Sequence, residues 1–131
     1  MFVDASAIVA ILTGEPDAER LETSIFAART DPITSPMAAF EAALAVSRKM
    51  RSALMDASHE ISEYLRAVGI EEISITPEIG RLALVAMAQF GKGTGHPARL
   101  NLGDCFAYAC AKAHNVPLLY KGDDFVHTDL V

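Results

Sequence analysis

The chain has 131 residues, 51% of them hydrophobic, and a formal net charge of −6. This is the length of one domain, with enough apolar material for a core that needs neither disulfide nor metal to fold. The acidic balance argues against a nonspecific nucleic-acid coat protein, which would be basic, but not against a site where divalent cations offset clustered carboxylates.

The chain opens with Phe2-Val3, a short apolar strand that Asp4 ends. Ala5 to Leu12 reads as a buried helix, broken by Thr13-Gly14-Glu15-Pro16. A second helix is expected over Asp17 to Arg29, with Leu21, Ile25 and Phe26 on one stripe. Asp31-Pro32 turns the chain into a strand at Ile33-Thr34-Ser35, and Pro36 starts an alanine-rich helix to about Arg51. Leu54 to Val68 reads as another helix, stopped by Gly69. Glu72 to Ile75 alternates as a strand, and Pro77 begins a helix to about Phe90. A glycine-rich loop follows from Gly91 to Pro97. A helix then starts between Asn101 and Asp104 and runs to about His114. Pro117 to Tyr120 is an apolar strand, Gly122-Asp123-Asp124-Phe125 a turn, and Leu130-Val131 a candidate last strand.

Strands alternating with helices indicate a single α/β domain with a mainly parallel sheet. No apolar run approaches the ~18–20 residues of a membrane span. MFVDAS at the N-terminus lacks the pattern of a signal peptide, so a cytoplasmic protein with no membrane partner is expected. Cys105 and Cys110 lie five residues apart in one helix, on different faces, and read as small buried hydrophobes.

Ligands of such sheets bind outside the carboxyl ends of the strands. Asp4 and Asp124 fall there, after the first and last strands, while Glu41 and Asp104 lie near the starts of helices that can point at the same edge. Each acid has a bland alternative. Asp4 and Asp104 suit helix N-caps, and Asp124 suits a solvated loop beside Asp123. Glu41 is odder, because its helical neighbours Met37, Ala38, Leu44 and Ala45 form an apolar face where a carboxylate is costly unless paired or bound to metal. Four gathered carboxylates repel one another unless protons or cations neutralise them. All-oxygen ligands select hard ions, so Mg²⁺ is expected, with Mn²⁺ as a substitute. The chemistry that fits is phosphodiester hydrolysis.

The segments Gly91-Lys92-Gly93, His96-Pro97-Ala98, Leu100-Asn101 and Gly103-Asp104-Cys105-Phe106-Ala107-Tyr108-Ala109 are distinctive. So is Pro117-Leu118-Leu119-Tyr120-Lys121-Gly122-Asp123-Asp124-Phe125, followed by Thr128-Asp129. With Val3-Asp4-Ala5-Ser6 and Phe40-Glu41, they make the whole chain resemble the VapC-type toxins of type II toxin–antitoxin systems, which are PIN-domain ribonucleases. The resemblance implies a PIN-like α/β/α sandwich, Mg²⁺-dependent endoribonuclease activity on RNA, and inhibition by a VapB-type antitoxin. DNA would then be met only through the antitoxin. It places the family's four acids on Asp4, Glu41, Asp104 and Asp124, with the metal held most directly by Asp4 and Asp104. Asp123 competes with Asp124 for the fourth place. Ser6 matches a small polar residue beside the acids.

Arg48, Lys49 and Arg51 form a basic cluster late in their helix, readable as a phosphate-binding patch or as cations complementing a helix C-terminus. Lys92, His96, Arg99 and Lys121 lie in loops flanking the acids and can attract a substrate backbone locally. Ser6, Arg48, Lys92 and Lys121 are thus the substrate-binding candidates. The apolar faces of the helices between Asp17 and Val68 exceed what a small sheet covers, which points to a homodimer and an antitoxin groove. The competing expectation is a non-catalytic interaction module in which the acids serve only as caps. A haloacid-dehalogenase-like phosphatase is disfavoured because Asp4-Ala5-Ser6 lacks a second aspartate, and a receiver domain would not need Glu41.

Overall fold

A computed structural model of the chain describes residues 1–130. Ten elements follow in order: β1 (Phe2–Val3), α1 (Ala5–Leu12), α2 (Ala18–Ala27), β2 (Ile33–Thr34), α3 (Pro36–Met50), α4 (Leu54–Val68), β3 (Glu71–Glu72), α5 (Pro77–Phe90), α6 (Leu102–Ala113) and β4 (Leu118–Leu119). The strands form one parallel sheet in the order β3-β2-β1-β4. The chain winds outward from β1 through β2 to β3 and then places β4 on the other side of β1, so the carboxyl end of β1 is the topological switch point, where such sheets form clefts.

Successive residues of a strand face opposite sides of the sheet. Phe2 and Val3 are both fully buried, so the sheet is covered on both faces, as an all-parallel sheet requires. Register is fixed by Phe2 opposite Ile33 and Leu118, and by Val3 opposite Leu119. At the carboxyl edge the buried Thr34 Oγ1 donates to the Val3 carbonyl at 2.8 Å, and the Asp4 N–H donates to the Leu119 carbonyl at 2.9 Å. This edge is therefore stitched across three strands by the Thr34 hydroxyl and the Asp4 backbone.

Helix ends follow local chemistry. Ser35 caps α3 by accepting from the Ala38 N–H at 3.0 Å, with Pro36 in the first turn, and Thr76 caps α5 ahead of Pro77 in the same way. Gly69 ends α4 in the left-handed region at φ +82°, its N–H returning to the Leu65 carbonyl.

Three local expectations change. Ser35 leaves the second strand to serve as the cap. The third strand sits at Glu71–Glu72 rather than Glu72–Ile75, because pairing to Ile33–Thr34 sets its register and the N-cap of α5 takes the chain out of the sheet. Its two exposed glutamates place charge on an edge strand, which discourages edge-to-edge pairing. Leu130 lies in a turn rather than a strand, and Val131 lies outside the described residues. That tail is held another way: Asp129 accepts from Tyr108 Oη and Lys112 Nζ, both at 2.6 Å. Cys105 and Cys110 are buried and free.

Candidate active site

Asp4 follows β1 directly and caps α1. Its Oδ2 accepts from the Ser6 N–H at 3.1 Å and from Ser6 Oγ at 2.6 Å. The side chain is buried, and burial raises its carboxyl above the usual aspartate range; the Ser6 hydrogen bonds oppose this and the charge of Asp124 adds to it.

Asp104 lies in the first turn of α6. Its Oδ2 accepts from the Asn101 N–H at 3.1 Å, while Asn101 Oδ1 accepts from the Asp104 N–H at 2.9 Å, a reciprocal capping box. Burial pushes its carboxyl up to about 6; the Asn101 N–H draws it down, Asp124 and Asp4 raise it, and Lys92 lowers it.

Glu41 sits in the second turn of α3, half-buried, pushed up to about 7 by desolvation first and then by the charges of Asp4 and Asp104. The space it occupies exists because residue 103 is glycine: a Cβ there would overlap the Glu41 carboxylate. Gly103 thus lets α6 close against α3 at the site. Asp124 stands in the exposed turn after β4, and it is the loop acid whose charge acts most on Asp4 and Asp104. Asp123 lines the same open cleft as Asp124, alongside Lys92, Arg99 and His127.

The structure therefore brings Asp4, Glu41, Asp104 and Asp124 into one electrostatically coupled group at the carboxyl edge of the sheet. The four substrate-binding candidates divide. Lys92 is close enough to act on Asp104 and borders the cleft with Asp124. Ser6 is turned inward, bridging Asp4 and the Lys121 N–H, which donates to Ser6 Oγ at 2.9 Å. Lys121 Nζ is engaged by Glu15, with Asp17 Oδ1 at 3.4 Å, as those acids come from the α1–α2 connection to meet it. Arg48 is exposed in the last turn of α3, about 10 Å along the helix from Glu41 on the same face. Asn101, Gly103 and Glu15 were not singled out from the sequence. The Asn-x-x-Asp spacing of a capping box was the readable signal for the first.

Among the described residues, no three His, Cys, Asp or Glu side chains are gathered closely enough to hold an ion between them. The donor set still fits a hard divalent cation. It is all oxygen, the carboxyls of Asp4, Glu41 and Asp104 are each raised by burial and by neighbouring acids, and Asp4 and Asp104 each hold one oxygen at a helix start. Mg²⁺ commonly takes one or two carboxylates and keeps several waters, so a pair of these acids suffices where a closed cage is not formed.

The PIN domain family model matches residues 1–130. A VapC ribonuclease of Rhizobium meliloti (strain 1021) is 45% identical, covering 98% of this chain and 98% of its own. The chain belongs to the VapC ribonucleases of the PIN-domain family. Ribonuclease VapC42 of Mycobacterium tuberculosis is 38% identical, with 99% of this chain and 96% of that protein covered. In fold the chain is similar to Mycobacterium tuberculosis VapC20, a sarcin–ricin loop cleaving toxin, with TM-score 0.75, 14% identity, and 99% and 95% coverage of the two chains. It is also similar to a chain of a toxin–antitoxin complex from Klebsiella pneumoniae, with TM-score 0.61, 16% identity, and 89% and 82% coverage. The PIN fold expected from the sequence is therefore the observed one.

Proposed function

We propose that this PIN-domain chain is a divalent-metal-dependent endoribonuclease, the toxin of a type II toxin–antitoxin pair, and that Asp4, Glu41, Asp104 and Asp124 are its catalytic acids. The observation that carries this reading is the coupling of four carboxylates at the switch-point edge of the sheet, two of them lifted to about 6 and about 7.

Asp4 and Asp104 are the residues that would hold Mg²⁺, with Mn²⁺ as a substitute, and Glu41 and Asp124 complete its surroundings. A bound ion would supply a more acidic water and charge stabilisation for the phosphate and the leaving oxygen. Glu41, half-buried beside Asp4 and Asp104, accepts the proton of the attacking water at an Oε atom. The water oxygen bonds to phosphorus as the P–O bond of the RNA backbone breaks. Ser6 keeps Asp4 oriented, and Asn101 does the same for Asp104. Lys92 and Arg99 beside Asp124 offer the RNA backbone a cationic bank on an otherwise acidic protein. Arg48 extends that attraction along the Glu41 face of α3.

The partner in this reading is a VapB-type antitoxin, with DNA reached only through it. A groove between α3 and α4, lined by Phe40, Ala43, Leu54, Met55, Ile61 and Leu65, offers an apolar surface for an antitoxin segment. Exposed Leu84, Val85 and Leu102 on α5 and α6 suit a homodimer contact. No helix among the described residues is long and apolar enough to cross a membrane, and a cytoplasmic location is part of the same reading.

The test is cleavage of a structured RNA by purified protein in Mg²⁺. The wild type should cut, chelation should stop it, and Asp4→Asn or Asp104→Asn should abolish it. Equal cleavage by the wild type and both variants would overturn the assignment.

A further inference from the structure

Asp124 is the least supported of the four acids. It is exposed, and the turn from Gly122 to Asp124 hangs between two attachments. Downstream, the buried Phe125 packs against Tyr120 with ring centroids 4.9 Å apart, and its carbonyl accepts from Thr128 Oγ1 at 2.8 Å. Upstream, the attachment is Lys121. Its N–H donates to Ser6 Oγ, and its Nζ crosses to Glu15 in the connection between α1 and α2.

Glu15 is itself fixed. Its N–H donates to the Ala10 carbonyl at 2.9 Å, and its second carboxylate oxygen meets Lys49 Nζ of α3 at 3.1 Å. The Glu15 side chain is only 20% exposed, so its pairs are shielded compared with ordinary surface ion pairs. Lys49 also donates to Thr13 Oγ1 at 2.8 Å. One carboxylate therefore ties the α1–α2 connection to α3 on one side and to the exit of β4 on the other. Its link to Lys121 continues through the Lys121 N–H to Ser6 Oγ, and from there to Asp4 Oδ2 at 2.6 Å.

We propose that Glu15 is a positioning residue for the acid site: by holding Lys121 it sets the turn that carries Asp124 and the Ser6 contact that orients Asp4. Lys121 acts through the acids, and its ammonium is not a contact for RNA. The proposal rests on the reading of the four acids as a metal site. Outer partners that orient metal ligands typically contribute 10–100-fold in metal affinity or activity, and a partner acting through a turn belongs at the lower end.

The experiment is calorimetric Mn²⁺ binding to the metal-free protein, together with steady-state RNA cleavage at several Mg²⁺ concentrations and melting of every variant. Glu15→Gln and Lys121→Met should each weaken Mn²⁺ binding about 10-fold and lower kcat at limiting Mg²⁺, with KM for RNA unchanged and recovery at high Mg²⁺. Lys121→Arg should restore wild-type metal affinity. Lys49→Met removes the other half of the Glu15 pairing without touching the Asp124 turn, so its metal affinity should stay within twofold of wild type. Mn²⁺ affinities of Glu15→Gln and Lys121→Met within twofold of wild type would overturn the proposal. So would equal losses in Lys49→Met and Lys121→Met, which would mark a general stabilising pair. A raised KM for Lys121→Met with unchanged metal affinity would return Lys121 to the substrate. If the wild type bound no Mn²⁺, the metal site itself would fall and this proposal with it; wild-type binding with unaffected variants removes the Glu15 role alone.

Discussion

The two ends of the acid site are built differently. Asp4 and Asp104 are buried and hold helix starts, Asp4 as the cap of α1 and Asp104 from the third position of α6, where Asn101 rather than the expected Asp104 is the cap, each with one oxygen committed to a backbone N–H. Glu41 and Asp124 cap nothing. Glu41 rests in a gap left by Gly103, and Asp124 stands in an exposed turn. Capping and metal binding are therefore compatible roles for one aspartate. The cap fixes the rotamer and occupies one oxygen, and the other stays free for an ion. The uncapped pair has no such internal partner, so its place depends on neighbouring elements.

Asparagine keeps an acceptor oxygen for the Ser6 and Asn101 N–H groups, so Asp4→Asn and Asp104→Asn separate the two roles. Each should keep the fold, with a melting temperature at or above that of the wild type, while kcat/KM for RNA falls by about 10³-fold or more, as losing several kcal/mol of transition-state stabilisation implies. Loss of folding with loss of activity would show the caps to be the main role, as an interaction module requires.

Glu41→Gln should cost about 10²-fold in kcat, the lower end for a general base. It should also change the pH dependence of the rate at saturating Mg²⁺. An unchanged pH profile would take Glu41 out of proton transfer.

Gly103→Ala raises helix propensity, so any loss it causes reports the lost space. The added Cβ meets the far end of the flexible Glu41 side chain and displaces its carboxylate, so the variant should lose less than about 1 kcal/mol of stability but about 10-fold in activity. Pairing it with Glu41→Ala should restore the stability but not the activity, which denaturant melts and cleavage assays read separately.

The smallest effect is a pH dependence of stability. Both Asp104 and Glu41 bind protons more tightly folded than unfolded, from 3.8 to about 6 and from 4.5 to about 7. Their contribution is fully present below the unfolded values and is lost as pH rises through about 6 and about 7. Metal-free protein should therefore melt several degrees higher at pH 5.5 than at pH 8, and Glu41→Gln should flatten the upper part of that slope. Glu15 and Asp129 are shifted downward by their lysine partners, so their loss of stability falls at acid pH and does not mask this window.

Much of this was legible because local chemistry and tertiary structure agree. Pro77 and Gly69 punctuate α5 and α4 where the sequence places the breaks. The acids emerged from topology, since residues after parallel strands meet at one edge. The parts that were not legible depend on distant partners. Strands of two residues carry too little pattern to fix their bounds, and β3 takes its register from β2. Lys121 reads as a free loop cation until Glu15, 106 residues away in sequence, arrives beside it. Asp123 and Asp124 are chemically identical neighbours, and only the path of the turn gives Asp124 the larger effect on Asp4 and Asp104.

The most direct test of the acid site is the shift in melting temperature of metal-free protein on adding Mg²⁺ or Mn²⁺, measured at pH 6 and pH 8. An ion bound by deprotonated carboxylates stabilises the folded chain by mass action and competes with protons. The account predicts a cation-dependent rise that is larger at pH 8 and absent in a double Asp4→Asn, Asp104→Asn variant. An equal rise in the wild type and the double variant, or none in either, would contradict it.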